Sequence, residues 1–310
     1  MRLLRSTLAL LLVSGAAAEA QDPRAAPLAL QLPASARAHA LADAWTGARD
    51  ADAVFYNPAQ LHDQRSAATF FLARYGSAST AGGLAAVMPM GWATLGFGAQ
   101  YLDYGSATPQ DGGYQLQTVL DGSTDALTGR GQVDASSTVV AIGAGFELIG
   151  VRWGVTGKAA EDRDGIRKDG LLVADIGAAK EIGAFSVGAA LRNLGSDPEM
   201  FGVSRSLPTR LAVGVQSRTV PAGAFDIGMN AEVALLRWSR GFIGGGAEVS
   251  WTPIEGISGV GRIGARTPVG DYESPITLGA GFSFDRVSVD YAWEGFRGPG
   301  NGHRIGVRLR

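Results

Sequence analysis

From Arg65 to the C-terminus apolar side chains recur at every second position, segment after segment. A period of two belongs to strands with one oily and one wet face, and it excludes long amphipathic helices. In Phe225 to Leu235 one face reads Phe225, Ile227, Met229, Ala231, Val233 and Leu235, the other Asp226, Gly228, Asn230, Glu232 and Ala234. The same holds for Val140, Ile142, Phe146 and Leu148, for Ile276, Leu278, Phe282 and Phe284, and for Ile305, Val307 and Leu309. With 45 glycines in 310 residues, helices would be costly throughout, at about 1 kcal/mol for each interior Gly. The uncharged run Tyr75 to Leu102 is therefore read as two strands around Pro89-Met90-Gly91, not as a membrane helix.

Turn signals divide the region into fourteen strands, at about 65–75, 78–88, 92–104, 132–148, 151–162, 168–181, 184–194, 207–219, 223–237, 241–252, 257–267, 274–284, 287–296 and 302–310. Their connections mostly alternate between tight (Ile149-Gly150, Ile182-Gly183, Pro221-Ala222, Asp285-Arg286) and longer (105–131, 195–206, 295–301), although the link after Trp238 is short where a long one is expected. A secreted sandwich or propeller also alternates. Here nearly every strand carries an apolar face, and lipid tolerates no open sheet edge, so the pattern predicts an all-β transmembrane antiparallel barrel of about 14 strands. Trp92, Trp153, Trp238, Trp251 and Trp293 fall near strand ends, where amphipathic rings prefer the bilayer interface.

Composition removes several function classes. A pI near 6.0 without a basic block argues against nucleic acid as a partner. The absence of Cys excludes disulfides, Cys-ligated zinc and a thiol nucleophile. Gly259 to Ala265 matches a GxGxxG spacing, but inside a β pattern and just before Thr267-Pro268, which is the wrong setting for a dinucleotide site. His39, His62 and His303 lack ligand spacing, and the charge cluster from Glu161 to Asp169 reads as a solvated hairpin tip. No catalytic constellation, metal site or cofactor is expected. Inward polar residues, Asp175, Arg210, Glu232, Glu248, Asp290, Arg304 and Arg308, are candidates for a lumen lining that binds solute or neutralises itself.

The N-terminus differs. Residues 1–20 have Arg2 and Arg5, a short apolar run and Ala18-Glu19-Ala20, the pattern of a cleaved secretory signal. Residues 21–64 show no alternation, are rich in Ala and contain the turn Asn57-Pro58, and residues 65–310 form the barrel. An irregular apolar segment cannot face lipid, so 21–64 lies in the lumen or in the periplasm; its apolar residues favour the lumen, as a hatch packed on a Gly-rich wall with Trp45, Phe55, Asn57, Pro58 and Ala59 as its candidate residues.

The segment Ala36-Arg37-Ala38 through Asp50 to Leu61 (DADAVFYNPAQL) resembles the start of the PorV/PorQ family, relatives of the FadL fatty-acid transporters. Two further stretches resemble it in order: Ser186 to Gly195 with Leu207 to Val215, and Gly281 to Arg310. The resemblance implies a FadL-like outer-membrane barrel of a Gram-negative-type bacterium, in contact with outer-membrane lipid, with Asn57, Pro58 and Ala59 in the hatch motif. It implies a non-catalytic shuttle for protein export of the type IX kind, with secretion components and secreted cargo as partners. The external loops apart from 105–131 are short for a cargo surface. The alternative is FadL-like passive transport of a small hydrophobic molecule.

Overall fold

A computed structural model describes residues 27–76, 79–107, 133–164, 167–237, 241–268, 273–296 and 300–310. The expected signal at 1–20, Trp238 and most of the connection 105–131 lie outside the described residues.

Seventeen strands are seen among the described residues: β1 (Ala67–Tyr75), β2 (Ser79–Pro89), β3 (Ala93–Ala107), β4 (Val133–Leu148), β5 (Val151–Asp164), β6 (Arg167–Ile182), β7 (Phe185–Leu194), β8 (Glu199–Met200), β9 (Val203–Ser204), β10 (Arg210–Ser217), β11 (Val220–Ala222), β12 (Phe225–Leu236), β13 (Phe242–Ile254), β14 (Ile257–Arg266), β15 (Glu273–Phe284), β16 (Val287–Phe296) and β17 (Asn301–Leu309). β8 and β9 pair only with each other, and β11 only with β12. The remaining fourteen run antiparallel in sequence order, and β17 pairs back onto β1 from Ala68↔Leu309 to Tyr75↔Gly302, so the sheet closes without an edge. Closure matters because lipid offers no partner to an open ladder.

The two faces sort as the alternation predicts. Ile142, Met229, Val233, Leu235, Phe282 and Ile305 are all more than half exposed on the outer surface, whereas Glu232, Ala212 and Arg304 on the inner face are buried. Trp92, Trp153, Trp251, Phe185, Phe225 and Phe284 stand exposed together around one rim, an aromatic girdle at the end where the turns are tight. That end is built from hairpins such as Ile149-Gly150, both with positive φ (+55° and +68°), the left-handed geometry of a two-residue turn matched to strand twist. Gly259 to Gly264, the misleading glycine motif, lies wholly within β14.

Two connections differ in detail from the sequence reading. Pro221-Ala222 is not a turn tip but part of β11, opposite Asp226 and Phe225, and the tip moves to Gly223 (φ +68°). Pro221 is tolerated there because β11 pairs on one side only, and the missing N–H is not called upon by a second neighbour. The ladder also slips by a residue, from Gln216↔Asn230 to Val220↔Ile227, which separates β11 from β10. The β8–β9 hairpin, within the long connection after β7, is too short to give a periodic signal.

Candidate functional site

The described N-terminal segment lies inside the barrel. Its short helices are α1 (Ala36–Ala40) and α2 (Ala53–Tyr56), with a 3-10 turn at Pro58–Leu61. Ser35 caps α1, its Oγ accepting from the Ala38 N–H at 3.1 Å. Left-handed φ at Ala42 (+61°) and Asp43 (+57°) ends it. Thr277 on β15 ties that end to the wall, donating to the Ala40 carbonyl and accepting from the Ala42 N–H, both at 3.2 Å.

Glycine on the wall lets this backbone approach closely. Gly145, Gly154 and Gly177 face one another across β4, β5 and β6, and Gly188 faces Gly214 across β7 and β10. A Cβ on Gly145 would lie 2.7 Å from the Pro58 carbonyl oxygen, and Cβ atoms on Gly154 and Gly177 would collide with Pro58-Ala59 backbone and with the Asn57 carboxamide. The row is a seat for Asn57-Pro58-Ala59. Asn57 itself is fully buried: its side-chain oxygen accepts from the Ala59 N–H at 3.1 Å, and its Nδ2 donates to the Thr46 carbonyl at 2.9 Å and to Ala178 of β6 at 3.3 Å. Phe55 packs against Gly98, and Trp45, with no exposed surface, donates from Nε1 to Asp52 at 2.9 Å and carries the Arg37 guanidinium 5.2 Å over its ring.

The inward polar candidates meet partners, many from the N-terminal segment. Glu248, Arg37, Asp50, Arg308, Asp290 and Arg262 form a closed ring of alternating charge, with successive separations of 2.7, 3.3, 2.7, 3.7, 2.6 and 3.1 Å. Asp175 pairs with Lys158 at 2.6 Å, and Arg210 with Glu232, which also accepts from the Thr46 N–H at 2.9 Å. Arg304 donates to the Pro33 carbonyl and the Tyr75 hydroxyl and lies 4.4 Å over the Phe71 ring.

Sequence reasoning missed Arg37, His39, Asp43, Asp50 and Asp52 in the segment, and Lys158, Arg192, Arg262, Arg266 and Glu294 on the wall. The wall residues share the inward phase of their strands and were legible in that sense; the segment has no period to mark them. His39 sits between Asp43 (3.3 Å) and Glu294 (3.1 Å), both of which also pair with Arg266. Burial opposes the imidazolium charge, but the two carboxylates outweigh it and raise its pKa. Burial alone would also raise Asp50, yet Arg308 and Arg37 hold it well below the usual carboxylate range. Asp52 behaves oppositely: burial, then the charge of Asp50, push it up to about 7.

Between the segment and the wall, in the half of the lumen away from the aromatic girdle, lies a cavity of about 130 Å³. Leu28, Leu32, Phe55, Val139, Phe242 and Phe296 form its apolar surface, and Lys158, Arg192, Arg210, Arg266, Asp43 and Glu294 line its polar side. No family model and no curated relative matches this sequence. Among solved structures, the Pseudomonas putida toluene transporter TodX superposes with a TM-score of 0.57 over 87% of this chain and 96% of its own, at 9% identity. The shared fold is a closed antiparallel β-barrel with a segment in its lumen. The Ralstonia pickettii toluene transporter TbuX (TM-score 0.55, 10% identity, 93% of this chain and 99% of that one) and a Pseudomonas aeruginosa FadL homologue (0.52, 10%, 89% and 98%) share it. In this barrel the lumen holds the segment 27–62 and the cavity beside it.

Proposed function

We propose that the protein is a non-catalytic outer-membrane channel that carries a small hydrophobic solute passively, with residues 21–64 as a hatch in its lumen. The observation that carries this reading is the cavity against the hatch, with an apolar side of Leu28, Leu32, Phe55, Val139, Phe242 and Phe296, in a fold shared with proteins described as toluene transporters. Its volume is close to the roughly 150 Å³ of an apolar protein cavity known to accept benzene. The PorV/PorQ likeness, and with it the export shuttle, has nothing among these comparisons to support it.

The test is uptake of radiolabelled toluene by cells whose outer membrane carries the protein, against cells without it. A higher initial rate is expected, and equal rates would overturn the reading. Deleting residues 32–60 should in addition give measurable single-channel conductance in planar bilayers while the barrel still folds. A folded truncated barrel with no gain in conductance would remove the hatch from the mechanism.

A further inference from the structure

The charged stretch from Glu161 to Asp169 divides between the two faces of the β5–β6 hairpin. Glu161 and Lys168 point outward and pair with each other at 3.5 Å. Asp162 and Asp169 point inward, in phase with Lys158 and Ala160 on β5 and with Val173 and Asp175 on β6, and they stand directly opposite each other in the ladder. On its other side Asp162 stands opposite Ser137 of β4, so Ser137, Asp162 and Asp169 make one row across three strands. The row lies at the end of the barrel away from the aromatic girdle.

Like charges directly opposite one another destabilise a ladder. Elsewhere in the lumen the carboxylates have cations: Asp175 has Lys158, Glu232 has Arg210 and Asp290 has Arg262. Among the described residues neither Asp162 nor Asp169 has an ion-pair partner. Asp169 accepts from the Phe201 N–H in the connection after β7, and the buried Arg205 of that connection acts on Asp162 only from beyond ion-pair distance. Two oxygens of the row are left without a donor. Ser137, with no exposed surface, turns its Oγ to Asp162 without the geometry of a hydrogen bond, and Asp162 Oδ1 is buried and unpartnered. A water would satisfy these oxygens but would leave the paired charges unneutralised.

We propose that the row Ser137, Asp162 and Asp169 is a calcium site. Ca²⁺ takes about 6–8 oxygen ligands in a flexible geometry, so two carboxylates and a hydroxyl supply the protein's share and water the remainder. Neighbouring strands stand about 4.8 Å apart, an interval that two Ca–O bonds of roughly 2.4 Å span, and side chains on the concave inner face converge. Mg²⁺ demands a near-ideal octahedron, which a row of ligands along one ladder does not offer. Bound here, the ion neutralises the carboxylate pair and, through Asp169, steadies the connection that carries Phe201. The row is separate from the cavity lining, so the site stands whether or not the transport reading does.

The experiment is urea unfolding of the full-length protein in detergent micelles, stripped with EDTA and then given CaCl₂, MgCl₂ or NaCl at matched ionic strength. Calcium should raise the unfolding midpoint saturably, with half the effect at about 0.1–1 mM, and magnesium should be weaker. In the double variant Asp162→Asn with Asp169→Asn the calcium affinity should fall at least roughly tenfold, because both ligand charges are lost. Glu161→Gln, on the outward face, should leave the affinity unchanged. No calcium effect beyond that of matched salt would overturn the proposal. So would an effect that persists in the double variant, shown to be folded by heat-modifiable gel mobility, or one that Glu161→Gln abolishes equally. Magnesium acting as well as calcium would overturn the assignment of the ion. Should the double variant not fold, Ser137→Ala decides: a weaker calcium response in the folded barrel supports the site, and an unchanged one overturns it.

Discussion

Arg308 Nη1 donates to Asp50 Oδ2 at 2.7 Å across 258 residues of sequence. The last strand of the barrel thus holds the luminal segment directly, and Asp50 is gripped a second time by Arg37 at 3.3 Å. Breaking one member of a buried ion pair leaves the other charge uncompensated, at a cost of about 3–5 kcal/mol.

Asp50→Ala is therefore expected to loosen the segment without opening the barrel. Limited proteolysis of the folded protein should cut within residues 27–66 of the variant and not of the parent, while heat-modifiable mobility stays unchanged. Unaltered protection would show that the charge ring does not hold the segment.

The glycine row makes a prediction with its own control inside one strand. Gly154 faces the Pro58-Ala59 backbone, whereas Gly157, three residues on, has nothing within 4 Å of where its Cβ would stand. Gly154→Ala should cost about 1–3 kcal/mol by overpacking against atoms that cannot rotate away. Gly157→Ala should change stability by no more than about 0.5 kcal/mol. Urea unfolding midpoints of the two variants in micelles check the difference, and equal shifts would place the segment elsewhere.

On the outer surface Met229 is 59% exposed, while its neighbour Asn230 is buried and donates to the Ala44 carbonyl. Met229→Arg should destabilise the barrel by roughly 2–4 kcal/mol, if it faces the middle of the bilayer, and impair assembly. Met229→Leu should not. Asn230→Ser acts on the other face and is expected to loosen the luminal segment, because the carbonyl of Ala44 loses its donor. Gel mobility reports the first effect and proteolysis the second.

The strands were legible because lipid on one side and a packed lumen on the other impose a strict period; β12 shows it from Ile227 to Leu235 without a fault. Register was not legible. That Gly145, Gly154 and Gly177 line up across three strands follows from the hairpin at Ile149-Gly150 and from the pairing of β5 with β6, which no single strand encodes. The ring members Arg37 and Asp50 were hidden for another reason: they lie in a segment whose conformation is set by the wall it touches, so its sequence carries no pattern of its own. Asn193 shows a third limit: simple alternation places it on the outer face next to inward Arg192, and only the bulge where β7 pairs with β6 turns it inward.

Asp52 gives the segment a pH response. Its carboxyl is raised to about 7 from an ordinary 3.8, so the folded protein holds a proton there that the unfolded chain releases. Stability from this group is complete below about pH 4 and declines by about 1.4 kcal/mol per unit as pH rises toward 7, then stays level. Asp52→Asn keeps an oxygen for the Trp45 Nε1–H and cannot ionise, so the stability difference between variant and parent should grow from pH 4 to pH 7 in the variant's favour. Unfolding midpoints measured across that range check it, and a constant difference would show that Asp52 is already ionised in the folded protein.

The seam where β1 meets β17 also sets an order in time. The luminal segment is synthesised first, but Glu294 and Arg308, which hold His39 and Asp50, arrive with the last two strands. Its native grip is incomplete until the C-terminal hairpin is in place, even though β4, β5 and β6 already supply the seat of Asn57-Pro58-Ala59. The cylinder closes around its own beginning, and the final hairpin is the step at which a loose apolar tail becomes the interior.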